Sequence, residues 1–451
     1  MKRRFPSFPP MEENVGPDKL GVVFFPAFDW GISPSHPERE ERLLYTFDQL
    51  TEEGLFDIPG VRLYSPEQAS FEDIERVHFC LPDAAAVCPP PHRIAAGGAI
   101  KAASLVMEKK AEKAFALTRP PGHHAMRVVS SGRGFCQINV EAVMVEYTRR
   151  QYGNLRVAIV DTDCHHGDGT QDIYWHDPNT LFISIHQDGR TLYPGSGFGH
   201  ELGGPNARGR TLNAPLPPGS GDEAFLYLID NLVLPALADF KPDLIINSAG
   251  QDNHYTDPIT AMSLSAQGYA ELSRRLSPHV AVLEGGYSIQ GALPYVNLGI
   301  ALALAGKDYS QVREPDYASR RRDEGTGLEE AKRLCGPLLD AYFSRPAAKR
   351  GLERDGLHTT EFEVYYDTTG VRERRRDTVA LCDACAGALF IEAISSVTPL
   401  SACVYTPLSA CAACREKAAS FLRTALGNGS YTIVRGINRP DDSTTTYRRK
   451  P

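Results

Sequence analysis

"VAIVDTDCHHGDG", residues 157–169, runs from four apolar positions straight into a stretch that holds Asp161, Asp163, His165, His166 and Asp168. Val157–Val160 has the length and β-branched character of a buried parallel strand. If the strand persists past Val160, side chains alternate faces. Asp161, Asp163 and His165 then share one side while Thr162 and Cys164 face the other. Open parallel α/β sheets bind their ligands in the crevice beyond the carboxyl ends of the strands. The stretch therefore reads as a strand that carries titratable groups to a site.

Other apolar runs do the same. Strands are expected at 21–25, 114–117, 157–160, 181–185, 244–247 and 280–283, alternating with helical patterns at 93–110, 139–150, 222–240 and 266–276. This alternation predicts an α/β body with a parallel sheet. "TRPPGHHA" follows the second run, "HQDGRTLYPGSG" the fourth, "SAGQDNHYTDP" the fifth and "EGGYS" the sixth. A single Asp in a Gly-rich turn is normally satisfied by turn amides. Acids and a histidine pair at several strand ends point instead to a divalent metal site, with Asp163 and His165 as the local ligands and Asp252 as the best third. His166, His186 and His254 read as structural.

The 451-residue chain is 42% hydrophobic and 23% charged, as expected of a globular protein. Its net charge of −8 argues against broad phosphate-backbone binding, so a nucleic-acid partner is not expected for the body. The clusters Arg320–Arg322 and Arg374–Arg376 are diluted by acids and read as solvated faces. No apolar stretch of membrane-spanning length is present, and "MKRR" is followed by "FPSFPPMEENVG" rather than an apolar signal core. A cytoplasmic protein without a membrane partner is expected.

"RPPGHHA", "DTDCHHGDGTQDIYW", "SIHQDGRTLYPGSG", "NSAGQDNHYTDP" and "EGGY" together resemble the zinc-dependent histone deacetylase superfamily, which includes acetylpolyamine amidohydrolases. The likeness spans roughly residues 20–305, and the "RPPGHHA" form is closer to class II and bacterial members. It implies a three-layer α/β/α arginase-like fold and a Zn²⁺ held by Asp163, His165 and Asp252. It further implies His123 and His124 facing the water, the second as general base and acid, with Asp161 and Asp168 hydrogen-bonded behind them. Tyr287 is implied as donor to the substrate carbonyl, Gly285 and Gly286 as the backbone that lets it approach, and Phe135 and Tyr193 as the aromatic walls of an acyl-lysine tunnel. A K⁺ bound near Asp161, Asp163, His165 and Ser184 is implied, as is an arginine beside an internal channel, matched to Arg39.

Two positions depart from the family pattern. Val87 stands where a rim acid is expected, with Asp83 the nearest acid. Ile259 stands at the pocket rim where an acidic gatekeeper would favour a cationic polyamine, and the absence of that acid favours an acyl-lysine or neutral substrate. The activity implied is hydrolysis of an acylated lysine or related amine. Rival readings are a small acyl-amine amidohydrolase and a non-catalytic protein that binds acylated ligands.

Ten cysteines without a secretion signal argue for thiols and metal ligands. Cys382, Cys385, Cys411 and Cys414 form CxxC…CxxC, expected to hold a second, structural Zn²⁺ in a small ribbon-like module, with Cys403 as a substitute ligand. The role of the module is open among binding a protein partner or a second copy of the chain, binding nucleic acid and simply capping the catalytic body. The expected layout is an N-terminal extension (1–19), catalytic domain (20–310), helical or linker segment (311–360), Cys-rich module (361–438) opening with a hairpin around "DTTG", and disordered tail (439–451).

Overall fold

The computed structural model describes residues 16–315, 317, 326–349 and 356–449. Most of the 1–19 extension and the Arg320–Arg322 cluster lie outside the described residues. In the body the strands are β1 (Asp18–Phe25), β2 (Val61–Tyr64), β3 (Phe79–Cys80), β4 (Ala111–Thr118), β5 (Val128–Val129), β6 (Val157–Asp161), β7 (Thr180–Gln187), β8 (Thr211–Leu216), β9 (Leu244–Ser248) and β10 (Val280–Val282). β11 (Leu357–Tyr366), β12 (Val371–Ala380), β13 (Leu389–Ser395), β14 (Ser401–Thr406), β15 (Ile433–Asn438) and β16 (Ser443–Arg448) follow.

Eight body strands form one parallel sheet in the order β2-β1-β4-β10-β9-β6-β7-β8. The period-two alternation of its strands sorts side chains into two cores. Ala158 and Val160 join Phe115, Leu117 and Ile183 on one face. Val157 and Ile159 join Ala114, Ala116 and Phe182 on the other. Helices Ala266–Leu276, Leu293–Leu304 and Thr326–Lys349 cover the first face, with the segment 222–240, and helices Pro90–Met107 and Val140–Tyr152 cover the second. This is the expected α/β/α sandwich. Asn139 caps helix Val140–Tyr152 through a 2.8 Å bond from the Ala142 N–H, and Ser265 caps helix Ala266–Leu276.

The single helix expected over 222–240 is instead Asp222–Leu228 and Leu234–Phe240 joined by a π-helical stretch, Ile229–Val233. Pro235 lacks the N–H a continuous helix would use, and the ladder is re-phased just before it. Helix Thr326–Lys349 is no linker: Ala331, Leu334, Leu338 and Tyr342 are buried in the body's core.

The C-terminal chain differs most from expectation. β11–β16 form one six-stranded sheet in sequence order, with β14–β15 the only parallel pair and helix Ala412–Gly427 as its crossover. Residues 443–448, expected to be disordered, are β16 and pair with β15; Lys450 and Pro451 lie outside the described residues. Nor is this sheet a small ribbon standing apart. Val379, Leu389, Ile391, Cys403 and Ile433 share a core with Phe79, Leu81 and Val128 of the body. Around that core, Arg439 pairs with Glu146 at 2.9 Å, Arg375 with Asp172 at 3.0 Å and Arg76 with Asp442 at 2.7 Å. Among the described residues no helix is long and apolar enough to cross a membrane.

Phe79 is fully buried in this junction. Phe79→Ala is expected to cost about 3–5 kcal/mol and to expose β11–β16 to limited proteolysis before the body unfolds. A denaturation midpoint and cleavage pattern equal to the wild type would show that sheet and body hold together without it.

Candidate active site

β4, β10, β9 and β6 are adjacent at the centre of the large sheet. Their register sets Ala116, Val282, Ser248 and Asp161 in one row. Beyond that row the four strands deliver His123 and His124, Tyr287, Asp252, and Asp163 with His165 to a common place. Ligand atoms of Asp163, His165 and Asp252 all lie within 4.8 Å of one another. His165 Nδ1 is 2.8 Å from Asp252 Oδ2 and 3.3 Å from Asp163 Oδ1.

Both carboxylates are fully buried. Two anions removed from water at close range are costly unless a cation lies among them. Burial and repulsion by Asp163 hold Asp252 above the usual carboxylate range. Burial alone would depress His165, yet Asp252 and the hydrogen bonds to both acids lift it to about 10. Positive charge is thus demanded where the three ligand atoms meet, and the donor set fits a divalent ion.

Backbone amides aim the acids. Gly285 N–H donates to Asp163 Oδ2 at 2.7 Å, His165 N–H to Asp163 Oδ1 at 2.8 Å and Cys164 N–H to Asp252 Oδ1 at 2.8 Å. Gly285, expected beside the substrate, lies against the ligands instead. A Cβ there would come within 2.4 Å of Asp252 Oδ2 and 2.6 Å of Asp163 Oδ2.

The adjacent histidines sit in opposite environments. His123 Nδ1 lies 3.0 Å from Asp161 Oδ2 and its Nε2 3.8 Å from Asp163 Oδ1. Burial opposes its charge, but Asp163 and Asp161 outweigh burial and hold it well above the ordinary imidazole range. His124 Nδ1 lies 2.8 Å from Asp168 Oδ1, and the other Asp168 oxygen pairs with Arg133. Burial and the neighbouring His123 and His165 push His124 well below that range.

Tyr287 meets Phe135 edge-on at 5.5 Å and receives the Arg42 guanidinium 4.9 Å from its ring centre. Burial keeps its hydroxyl protonated against the pull of Arg42. Its backbone N–H donates to Asp257 Oδ2 at 2.8 Å. Tyr193, Ile259 and Phe135 join His124, His165 and Tyr287 around a cavity of about 290 Å³.

Three buried groups beneath Tyr287 were not legible as functional. Glu38 bridges Arg42 at 2.8 Å and Arg119 at 2.7 Å, while Arg42 also donates to the carbonyls of Gly286 and Glu284. Arg39, matched to an inner channel, is 42% exposed and pairs with Glu41. The signal lay in the spacing, because Arg42 follows Glu38 by four residues in an acid- and arginine-rich stretch that packs them together in a turn. His166 and His186 are hydrogen-bonded away from the cluster, to Ser196 and Gln171 and to Ser184 and Gly197. His254 bonds Thr256.

The histone deacetylase domain model matches residues 84–298. A probable deacetylase of Archaeoglobus fulgidus is 49% identical over 352 residues, covering 70% of this chain and 97% of that protein. The chain belongs to the histone deacetylase family. A histone deacetylase-like amidohydrolase of Pseudomonas aeruginosa is 33% identical across 63% of this chain and 82% of its own length. The crystal structure of the HDA15 HD domain superposes with a TM-score of 0.63 at 25% identity, over 73% of this chain and 97% of that one.

This deacetylase-family chain carries a second cluster. Cys382, Cys385, Cys411 and Cys414 converge with their sulfurs within 4.8 Å, unbridged, and fit a zinc-binding module. The Cys382 and Cys385 sulfurs are 3.5 Å apart, far beyond a disulfide. Asn206 of the body clamps this turn, accepting from Cys382 N–H at 2.9 Å and donating to the Ala380 and Ala386 carbonyls. Cys403 is buried on β14 in the junction core, apart from the four.

Two metal equivalents per chain are expected by elemental analysis. Gly285→Ala should weaken the Asp163–His165–Asp252 site by about 10–100-fold, as displaced supporting groups commonly do, and leave the cysteine site loaded. Cys385→Ser with Cys414→Ser should give the converse. Loss of neither equivalent in either variant would show that these clusters are not the binding sites.

Proposed function

We propose that the chain is a zinc-dependent amidohydrolase that removes the acyl group from an acylated lysine or related primary amine. The observation that supports this reading is the meeting, around one cavity, of the Asp163–His165–Asp252 cluster with a histidine pair of split electrostatics and a protonated tyrosine. Two titratable groups whose surroundings push them apart mark an acid–base assignment.

Zn²⁺ held by Asp163, His165 and Asp252 would polarise the acyl carbonyl and acidify water. His124 is the base. Its Nδ1 is occupied by Asp168, so Nε2 takes the proton from the attacking water and returns it to the departing amine. Asp168, fixed in turn by Arg133, holds the ring and its tautomer. His123, with Nδ1 on Asp161, is oriented beside the same cluster. The Tyr287 hydroxyl donates to the carbonyl oxygen as that charge grows. Phe135, Tyr193 and Ile259 exclude water along the acyl-amine's alkyl chain. A K⁺ beside Asp161 belongs to the same reading, since Asp161 lies opposite Ser184 in the sheet. The Ser184 hydroxyl itself is bonded to His186 at 2.8 Å.

Purified protein, stripped with chelator and reloaded with Zn²⁺, is expected to hydrolyse acetyl-lysine peptides or acetylated diamines only when reloaded. His124→Ala should lower kcat by about 10²–10⁴-fold and Tyr287→Phe by about 10²–10³-fold, both with full metal content. Metal-loaded protein that binds these compounds without turning them over would replace the hydrolase with a reader of acylated ligands.

A further inference from the structure

The hairpin β11–β12 reaches back to the catalytic cavity. Tyr366, at the end of β11, donates its hydroxyl to the Val128 carbonyl at 3.2 Å, and Glu373 on β12 accepts from Ser130 Oγ at 2.5 Å. Thr369 Oγ1 bonds Ser131 Oγ at 2.9 Å. The turn between the strands is thereby laid along residues 128–134, the segment that leads to Phe135. Its first residue, Asp367, lines the same cavity as His124, His165 and Tyr287. Asp367 Oδ1 accepts from the Gly134 N–H at 2.8 Å and from the Tyr193 hydroxyl at 3.2 Å.

Both bonds converge on one oxygen. The other carboxylate oxygen has no hydrogen-bond partner among the described residues, and Asp367 forms no ion pair with any described Lys, Arg or His. Arg133 and His36 act on it only from a distance, and the Arg133 guanidinium is paired with Asp168. Tyr193 spans the interval between the two ends of the cavity, with its ring 6.4 Å from that of His165 and its hydroxyl on Asp367. The intervening wall is apolar, made by Phe135, Leu192 and Ile259. The cavity therefore presents the metal-ligand cluster, an apolar wall and a half-buried carboxylate with one oxygen outside any hydrogen bond among the described residues. Asp83, the acid expected at the rim, caps a helix at Ala86 and pairs with Arg448 of β16, apart from these lining residues.

We propose that Asp367 is a specificity-determining residue contributed to the pocket by the C-terminal sheet, and that it selects acylated amines bearing a second cationic group, such as an ammonium, beyond the alkyl chain. This rests on the amidohydrolase reading and narrows it. Ile259 brings no charge to the pocket, whereas the hairpin brings a carboxylate.

The test is a matched pair: a mono-N-acetylated diamine and the analogue with a hydroxyl in place of the free ammonium. Wild-type enzyme is expected to favour the ammonium compound by about tenfold in kcat/KM at low salt, the preference shrinking as ionic strength rises. Asp367→Asn keeps an acceptor for Gly134 and Tyr193, so its melting temperature should stay near the wild type while the ratio collapses toward one, chiefly through KM. Equal use of both compounds by the wild type overturns the proposal, as does an Asn variant that loses both alike, which a merely structural role would produce. Calorimetric binding of the free diamine and the corresponding amino alcohol reads the same preference without turnover. Protein that hydrolyses neither acetylated compound counts against the amidohydrolase reading, whereas protein that binds both free amines alike counts against Asp367.

Discussion

Asp161, Asp163 and Asp252 are fully buried acids gathered at the ends of neighbouring strands, and the site is arranged around the cost of keeping them there. Water cannot solvate them, so each is met by backbone N–H groups, an imidazole or an awaited cation. The same constraint explains Gly285, since any side chain would occupy the space of two carboxylates. It also explains the split between the histidines. His123 lies between two acids that raise it against burial, while burial and the neighbouring imidazoles lower His124.

The six-stranded C-terminal sheet obeys the same logic at larger scale. Arg375 and Arg439 are buried where the sheet meets the body, each paired with an acid of the body. Removing one partner would strand a charge in an apolar junction, so the arrangement is specific about how sheet and body meet. Phe79, Ile391 and Val379 supply the apolar part of that junction. The cysteine cluster, clamped by Asn206, stands beside it. The sheet's opening hairpin can then place Asp367 at the pocket with the accuracy of a fixed element rather than a loose loop.

Much of this was legible. The six apolar runs are strands of the large sheet, because buried parallel strands must be apolar on both faces and so announce themselves. β8 was not among the expected strands: "TLNAPL" contains Asn213 and Pro215, which interrupt the apolar run, yet it is an edge strand where Pro is tolerated. The "PDDSTTTYRRKP" tail looked like a disordered end by composition, and only the pairing of residues 443–448 with β15 makes it a strand. Arg39 was preferred to Arg42 because one sequence window holds both, and burial beside Glu38 and Tyr287 is what separates them.

Local pattern alone determined six strands of the large sheet, the α/β class, the CxxC pairs and the acids and histidines at the strand ends, because burial and period-two alternation are written into neighbouring residues. Tertiary structure alone decided which groups share a cavity. Asp367 is separated by more than two hundred residues from the histidine pair and reaches Gly134 and Tyr193 only through a sheet docked on the body. Contacts of that sequence separation depend on how two cores pack, and no short window of sequence carries that information.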